Sequence, residues 1–133
     1  MREGVILVRG SVGEDAGFKM RRGLIAVGGD AGDGLGRSLI AGSLFVFGRV
    51  GRFPGLGMKR GSIGILGQRE PDLPLCFEET VSYRFPFLSI YLRKMAAWGL
   101  PVPFEMFDAE FARYNGDLSE GGIGEILVAD VPQ

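Results

Sequence analysis

The sequence predicts an all-β fold: a right-handed parallel β-helix, or solenoid, of 19-residue glycine-rich coils with a C-terminal α+β cap. Three observations lead there. Gly4, Gly23, Gly42 and Gly61 stand nineteen residues apart, and aliphatic residues recur two positions apart after each of them. Glycine also supplies 23 of the 133 residues in a chain that is 46% hydrophobic. A fixed period of this length marks a repeat architecture. Collagen would place glycine at every third position, and a disordered chain would not carry so much Ile, Leu, Val and Phe.

Cut at those glycines, the first three units read GVILVRGSVGEDAGFKMRR, GLIAVGGDAGDGLGRSLIA and GSLFVFGRVGRFPGLGMKR, and a fourth begins GSIGILG. The third place holds Ile6, Ile25, Leu44 and Ile63, and the fifth holds Val8, Val27, Val46 and Ile65. Side chains two apart share one side of a strand, so these columns face inward. Met20, Leu39 and Met58 form a further inward ladder at the seventeenth place. Corner glycines occupy the seventh place (Gly10, Gly29, Gly48), the tenth (Gly13, Gly32, Gly51) and the fourteenth (Gly17, Gly36, Gly55). Glycine at such turn-like spacing signals positive φ or close backbone approach. Each unit thus reads as strand, corner, bridging segment, corner and return. Helix is excluded, because every full unit contains at least four glycines, each disfavoured in a helix by ~1 kcal/mol. One coil has too little core to order itself, so the stack is cooperative.

The densest glycine stretch, GGDAGDGLG at 28–36, invites a ligand-loop reading. A phosphate loop would end in Lys-Ser/Thr or open a helix, and neither follows. A calcium-binding repeat needs aspartate in every turn. Asp30 and Asp33 instead have counterparts Ser11 and Glu14 in one neighbouring unit and Arg49 and Arg52 in the other. Structural corners remain.

Residues 1–69 therefore form the coils, and residues 70–133 form a cap or flank with one helix, within one domain. In the cap, QREPDLPLCFEETVSYRFPF reads as loop, short strand and loop, punctuated by Pro71, Pro74 and Pro86. PFLSIYLRKMAAWG predicts a helix with Pro86 in its first turn, Leu88, Tyr91, Leu92 and Met95 on one face, and Gly99 as terminator. LPVPFEMFDAEF is expected to be extended. Asn115-Gly116 suggests a turn, and Glu125–Val128 a final strand. The cap packs over the flank or one end of the solenoid, whereas no segment covers Gly4–Val8, so the expectation is either a second chain or a homo-oligomer stacked on that coil, or a sequence that is a fragment of a longer solenoid. Phe45 and Phe47 alternate with the inward Leu44 and Val46, so they point outward. Either the helix covers them, or with Trp98 they form a subunit interface.

Composition excludes several chemistries. Fifteen basic and 16 acidic residues leave a formal charge of −1, which gives no electrostatic case for nucleic acid or an anionic membrane. There is no histidine; Ser-His-Asp and Cys-His catalysis and HExxH zinc sites are therefore absent. Cys76 is the one cysteine, in the apolar run LPLCF. It forms no internal disulfide, reads as a buried inert thiol, and agrees with a cytoplasmic setting. Neither a signal peptide nor a membrane span is visible. Asp117 and Glu120 offer themselves as acid and base, against the plainer reading of solvated turn residues. No catalytic and no metal-binding residue is expected.

The coils GDAGDGLGRSLIAGSLFVFGRVGRFPGLGMKRGSIGILG, with the tail segments FPFLSIYLRKMAAWGLP and FARYNGDLSEGGIGEILV, resemble the C subunit of formylmethanofuran dehydrogenase and of the bacterial formyltransferase/hydrolase complex. The glycine repeats are similar to those of the glutamate synthase C-terminal domain, which is not expected to carry this tail. Members of the family are longer, with more coils on the N-terminal side. The resemblance implies a non-catalytic scaffold in tetrahydromethanopterin- and methanofuran-linked one-carbon metabolism. Its partners would be an amidohydrolase-like and a formyltransferase subunit, with any metals or molybdopterin held by partners and no cofactor on this chain. Twelve arginines against three lysines favour the bacterial hydrolase form over the tungsten or molybdenum dehydrogenase.

Overall fold

Alternation along an extended chain sends the third and fifth residues of each repeat to one side, and in the computed structural model of the protein they line a common interior. The structure describes residues 4–68, 71–83, 86–100, 102 and 110–129. Four short strands, β1 (Val5–Val8), β2 (Leu24–Val27), β3 (Ser43–Val46) and β4 (Ser62–Ile65), open the successive repeats. They pair in parallel, each residue beside its equivalent nineteen positions on: Ile6 with Ile25, Ile25 with Leu44, Leu44 with Ile63. A second line of contact runs through the isolated parallel bridges Val12–Ala31 and Ala31–Val50. The result is a β-solenoid of about three turns with coils of about nineteen residues and, among the described residues, one short α-helix.

The sheet continues past the repeats. Strand β5 (Glu78–Tyr83), helix α1 (Pro86–Ala97), β6 (Phe111–Gly116) and β7 (Gly124–Ala129) follow in the chain. Among the described residues the sheet has seven strands in the order β1-β2-β3-β4-β7-β6-β5. Strand β7 lies parallel to β4, Ser62 beside Glu125, and so stands where the next coil's strand would stand. β6 and β5 then add in antiparallel fashion. Glu125 fastens the junction: its carboxylate accepts from the Ser62 hydroxyl at 2.7 Å and pairs with Arg113 Nε at 2.9 Å.

Two apolar layers flank this sheet. Inside the coils lie Val27, Leu39, Leu44, Val46, Met58, Ile63 and Ile65, closed at one end by Ile126 and Val128 of β7. Outside, Leu24, Ala26, Phe45, Leu66 and Leu127 meet Leu88, Leu92 and Met95 of α1. The helix forms because its apolar residues fall three and four apart, and it ends at Gly99, whose φ of +94 suits the residue after a helix. The Gly99 amide donates to Ala96 O at 3.0 Å, and Leu100 N to Met95 O at 3.1 Å.

One expectation for the tail changes. Asn115-Gly116 is not a turn; it ends β6, and the chain reverses over residues 117–123 through a 3-10 helix, Leu118–Glu120. Asp117 caps that helix by accepting from Ser119 N, which is why the reversal starts two residues late. The extended reading of LPVPFEMFDAEF falls mostly outside the described residues; Phe111, its last residue, begins β6.

Candidate functional site

The nine corner glycines divide into two kinds. Gly17, Gly36 and Gly55 have φ of +75, +67 and +73, the left-handed region that resists side chains. The seventh- and tenth-place glycines are not at positive φ; in the inner coils they are held by proximity. A Cβ on Gly29 would stand 2.7 Å from Gly10 O, on Gly32 2.9 Å from Gly13 C, on Gly48 2.5 Å from Gly29 O, and on Gly51 2.7 Å from Asp33 N. In the first coil a Cβ on Gly10 or Gly13 would meet no described residue within 4 Å.

Two further left-handed columns carry mostly other residues. Asp15, Gly34 and Phe53 share the twelfth place at φ +55, +76 and +58, and Lys19, Ser38 and Gly57 the sixteenth at +55, +55 and +75. Only the repeat alignment could have exposed them, because their side chains have nothing in common.

Phe45 is 2% exposed, with its ring centroid 5.8 Å from that of Tyr91 on α1. It is therefore core and does not contribute to an interface, and Phe47 leans partly buried on the same layer. Trp98 keeps 38% of its surface exposed beside the end of the helix. The three expected interface residues are thus not brought together as an open patch.

Asp117 is 3% exposed, contrary to the solvated reading. Its carboxylate accepts from Gly57 N at 2.8 Å, Ser119 N at 2.9 Å and Ser119 Oγ at 2.6 Å. Burial alone would raise its pKa, but these donors and the Cys76 thiol together hold it below the ordinary carboxylate value. Burial first, and the neighbouring Asp117 carboxylate second, push the Cys76 thiol up to about 11. A thiol at that value stays protonated near neutrality and is no nucleophile. Glu120 lies exposed at the other end of the 3-10 helix. The two carboxylates therefore face different environments, and Asp117, held charged by its donors, has no proton to give as an acid.

One surface concavity combines charge with shape. An open groove of about 330 Å³ runs across the coils, lined by Lys19, Arg21, Ser38, Ile40, Gly57, Lys59 and Glu120. Its lining comes from the sixteenth and eighteenth places of three successive coils, so the repeat itself assembles it. Three cations against one carboxylate suit an acidic group on a ligand or partner. Among the described residues no three His, Cys, Asp or Glu side chains converge on a metal position. No described helix is long and apolar enough to cross a membrane.

At the opposite end of the stack from β7, strand β1 is exposed among the described residues. Val5, Ile6 and Leu7 in β1 are 49, 45 and 40% exposed, whereas their equivalents in β3 are half-buried at Ser43 and buried at Leu44 and Phe45.

No protein-family model and no curated protein matches the chain. Among solved structures it matches a chain in the X-ray crystal structure of the formyltransferase/hydrolase complex (FhcABCD) from Methylorubrum extorquens in complex with methylofuran. The TM-score is 0.53 and the identity 25%, over 96% of this chain and 64% of that one. The protein thus spans under two thirds of the length of the chain it matches.

Proposed function

We propose that the protein is a non-catalytic scaffold subunit of a formyltransferase/hydrolase complex in tetrahydromethanopterin- and methanofuran-linked one-carbon metabolism. The carrying observation is the structural likeness to a chain of FhcABCD over 96% of this sequence. The geometry supports it: the chemically capable groups at the hairpin, Asp117 and Cys76, are tied up holding Gly57 and the reversal in place. In this reading the solenoid is a rigid body of stacked parallel strands that holds amidohydrolase-like and formyltransferase subunits at fixed separation, and those subunits carry the metals and the turnover. The basic groove then receives an acidic segment or an acidic cofactor tail.

Expression of the tagged chain in its native host tests the proposal. Subunits with formyltransferase and amidohydrolase sequences are expected to co-purify with it, while the chain alone turns over no formyl donor. A stable, monodisperse monomer without affinity for such subunits would remove the reading.

A further inference from the structure

Parallel chains stack ~4.8 Å apart, so residues nineteen apart stand in a column, and two such columns build the basic groove. The eighteenth place holds Arg21, Ile40 and Lys59, a cation on the first and third rungs with an aliphatic side chain between them. The sixteenth place, beside it, holds Lys19, Ser38 and Gly57. Lys19 and Ser38 both take φ of +55, so side chains are kept there in a conformation that resists them. Strain of this kind collects at ligand sites. Glu120 closes the third-rung end, held near it because the Asp117 carboxylate accepts from Gly57 N.

These cations are not neutralised among the described residues. Arg37 pairs with Asp15 at 3.1 Å and Arg113 with Glu125 at 2.9 Å, whereas Lys19, Arg21 and Lys59 meet no carboxylate. The backbone beneath them is already engaged. The amides of Lys19, Ser38, Ile40 and Lys59 donate to Arg37 O, Leu56 O, Met20 O and Leu39 O at 2.8–3.2 Å, and that of Gly57 to Asp117. No strand can add to this face and no anion can sit on its N–H groups, so a ligand is recognised by side chains alone. The groove is also open. It touches an occupant on one side, whereas a small-molecule site encloses most of its ligand's surface.

We propose that the groove docks an extended acidic segment of a partner polypeptide, with one carboxylate at Lys19 and Arg21 and a second at Lys59. The aliphatic stems of those acidic residues lie on half-buried Ile40. Arg21 can offer its carboxylate two parallel N–H donors. Alternate residues of an extended chain face the same way ~7 Å apart, and the flexible stems of Arg21 and Lys59 close the rest of a two-rung gap of ~10 Å. Glu120 repels the second carboxylate, so the hold is strongest at the Lys19 end. Exposed ion pairs are weak one by one. The segment therefore serves as a tethered second contact for a subunit already held elsewhere. The proposal rests on the scaffold reading for the assembly that supplies the partner, and on the groove for everything else.

The test titrates the full chain with the end-blocked peptide Gly-Glu-Val-Glu-Gly-Glu-Gly while backbone amide resonances are followed. Shifts are expected at Lys19, Ser38, Ile40 and Lys59, fading as salt rises, and none with a peptide carrying Gln for Glu. Lys19→Gln with Arg21→Gln is expected to weaken binding at least ~5-fold, and Glu120→Gln to tighten it ~2-fold. Should the double variant melt below wild type, Lys59→Gln alone is expected to weaken binding ~2-fold. Arg60→Gln, an exposed cation outside the groove, is expected to change nothing. In the native host, a benzophenone side chain in place of Ser38 is expected to join on irradiation to a stretch rich in Glu and Asp on a different polypeptide. The proposal is overturned if the Gln peptide binds equally well, if no shift appears, or if the folded variants bind like wild type. It falls equally if an oligonucleotide of matched charge binds more tightly than the peptide, or if the adduct is absent, a small molecule, a second copy or a segment without acidic residues. An acidic segment captured on a polypeptide that is neither formyltransferase nor amidohydrolase would leave the docking site standing and remove the scaffold reading. Co-purification of those subunits without acid-selective binding would do the reverse.

Discussion

At Gly36 two demands coincide: the backbone turns at φ +67, and an added Cβ would stand 2.7 Å from Ile63 Cδ1. Gly36→Ala is therefore expected to lower stability by about 1–2 kcal/mol, read as a lower melting temperature. Phe53 provides the converse, since it holds φ +58 with its side chain exposed. Phe53→Gly relieves that conformation and is expected to leave stability unchanged or raise it by up to ~1 kcal/mol. A fall for Phe53→Gly equal to that for Gly36→Ala would show that these corners are not governed by φ. Asp117 makes a pH-dependent contribution. Its folded pKa lies below the unfolded one, so the native state binds its proton less readily than the unfolded chain does. The stabilisation is complete above the ordinary carboxylate pKa and is lost as pH falls through the lowered folded value. Asp117→Asn is expected to cost about 2–3 kcal/mol near neutrality, and its deficit relative to wild type to shrink in acid melts. A deficit independent of pH would show that the carboxylate charge is not what the Gly57 and Ser119 amides hold.

Helix α1 depends on its sheet rather than on intrinsic propensity. Pro86 opens it, and Leu88, Leu92 and Met95 are its buried contacts with the outer layer around Phe45 and Leu127. Leu92→Ala leaves a cavity in that layer and is expected to destabilise by about 2–4 kcal/mol. Ile90→Ala, on the exposed side of the same helix, is expected to change stability by less than about 0.5 kcal/mol. Equal effects in chemical denaturation would mean that the helix does not dock as described. The helix was legible beforehand because a 3.6-residue periodicity and a glycine stop are local signals. The hairpin reversal was not, because Asn115-Gly116 has the composition of a turn while the capping carboxylate one residue on decides where the chain bends. That carboxylate's partner at Gly57 lies sixty residues away, a distance over which no local pattern speaks.

Over the whole molecule, the nineteen-residue period carried the coils, their parallel register and the inward columns at Ile25, Leu44 and Met58. It did not carry the inward residues of the bridging segments, such as Ala31, Leu35 and Val50. Between corners the chain neither alternates like a strand nor turns like a helix, so the inward side has no periodic marker there. The corner glycines were legible as a class but not in mechanism. Positive φ and close approach both select glycine, and only coordinates separate Gly36 from Gly32. The groove was hidden for a related reason, since Lys19, Arg21 and Lys59 become neighbours only when coils are superposed.

The pairing of β7 with β4 also has a consequence for biosynthesis. As the chain leaves the ribosome, β1 to β4 can stack one on another in order of appearance, each finding its neighbour nineteen residues back. β4 must then wait while sixty-three further residues are made before Glu125 arrives to bond Ser62. During that interval the β4 edge of the nascent solenoid lacks its β7 partner, and translation speed through the intervening segment sets how long it stays unsealed.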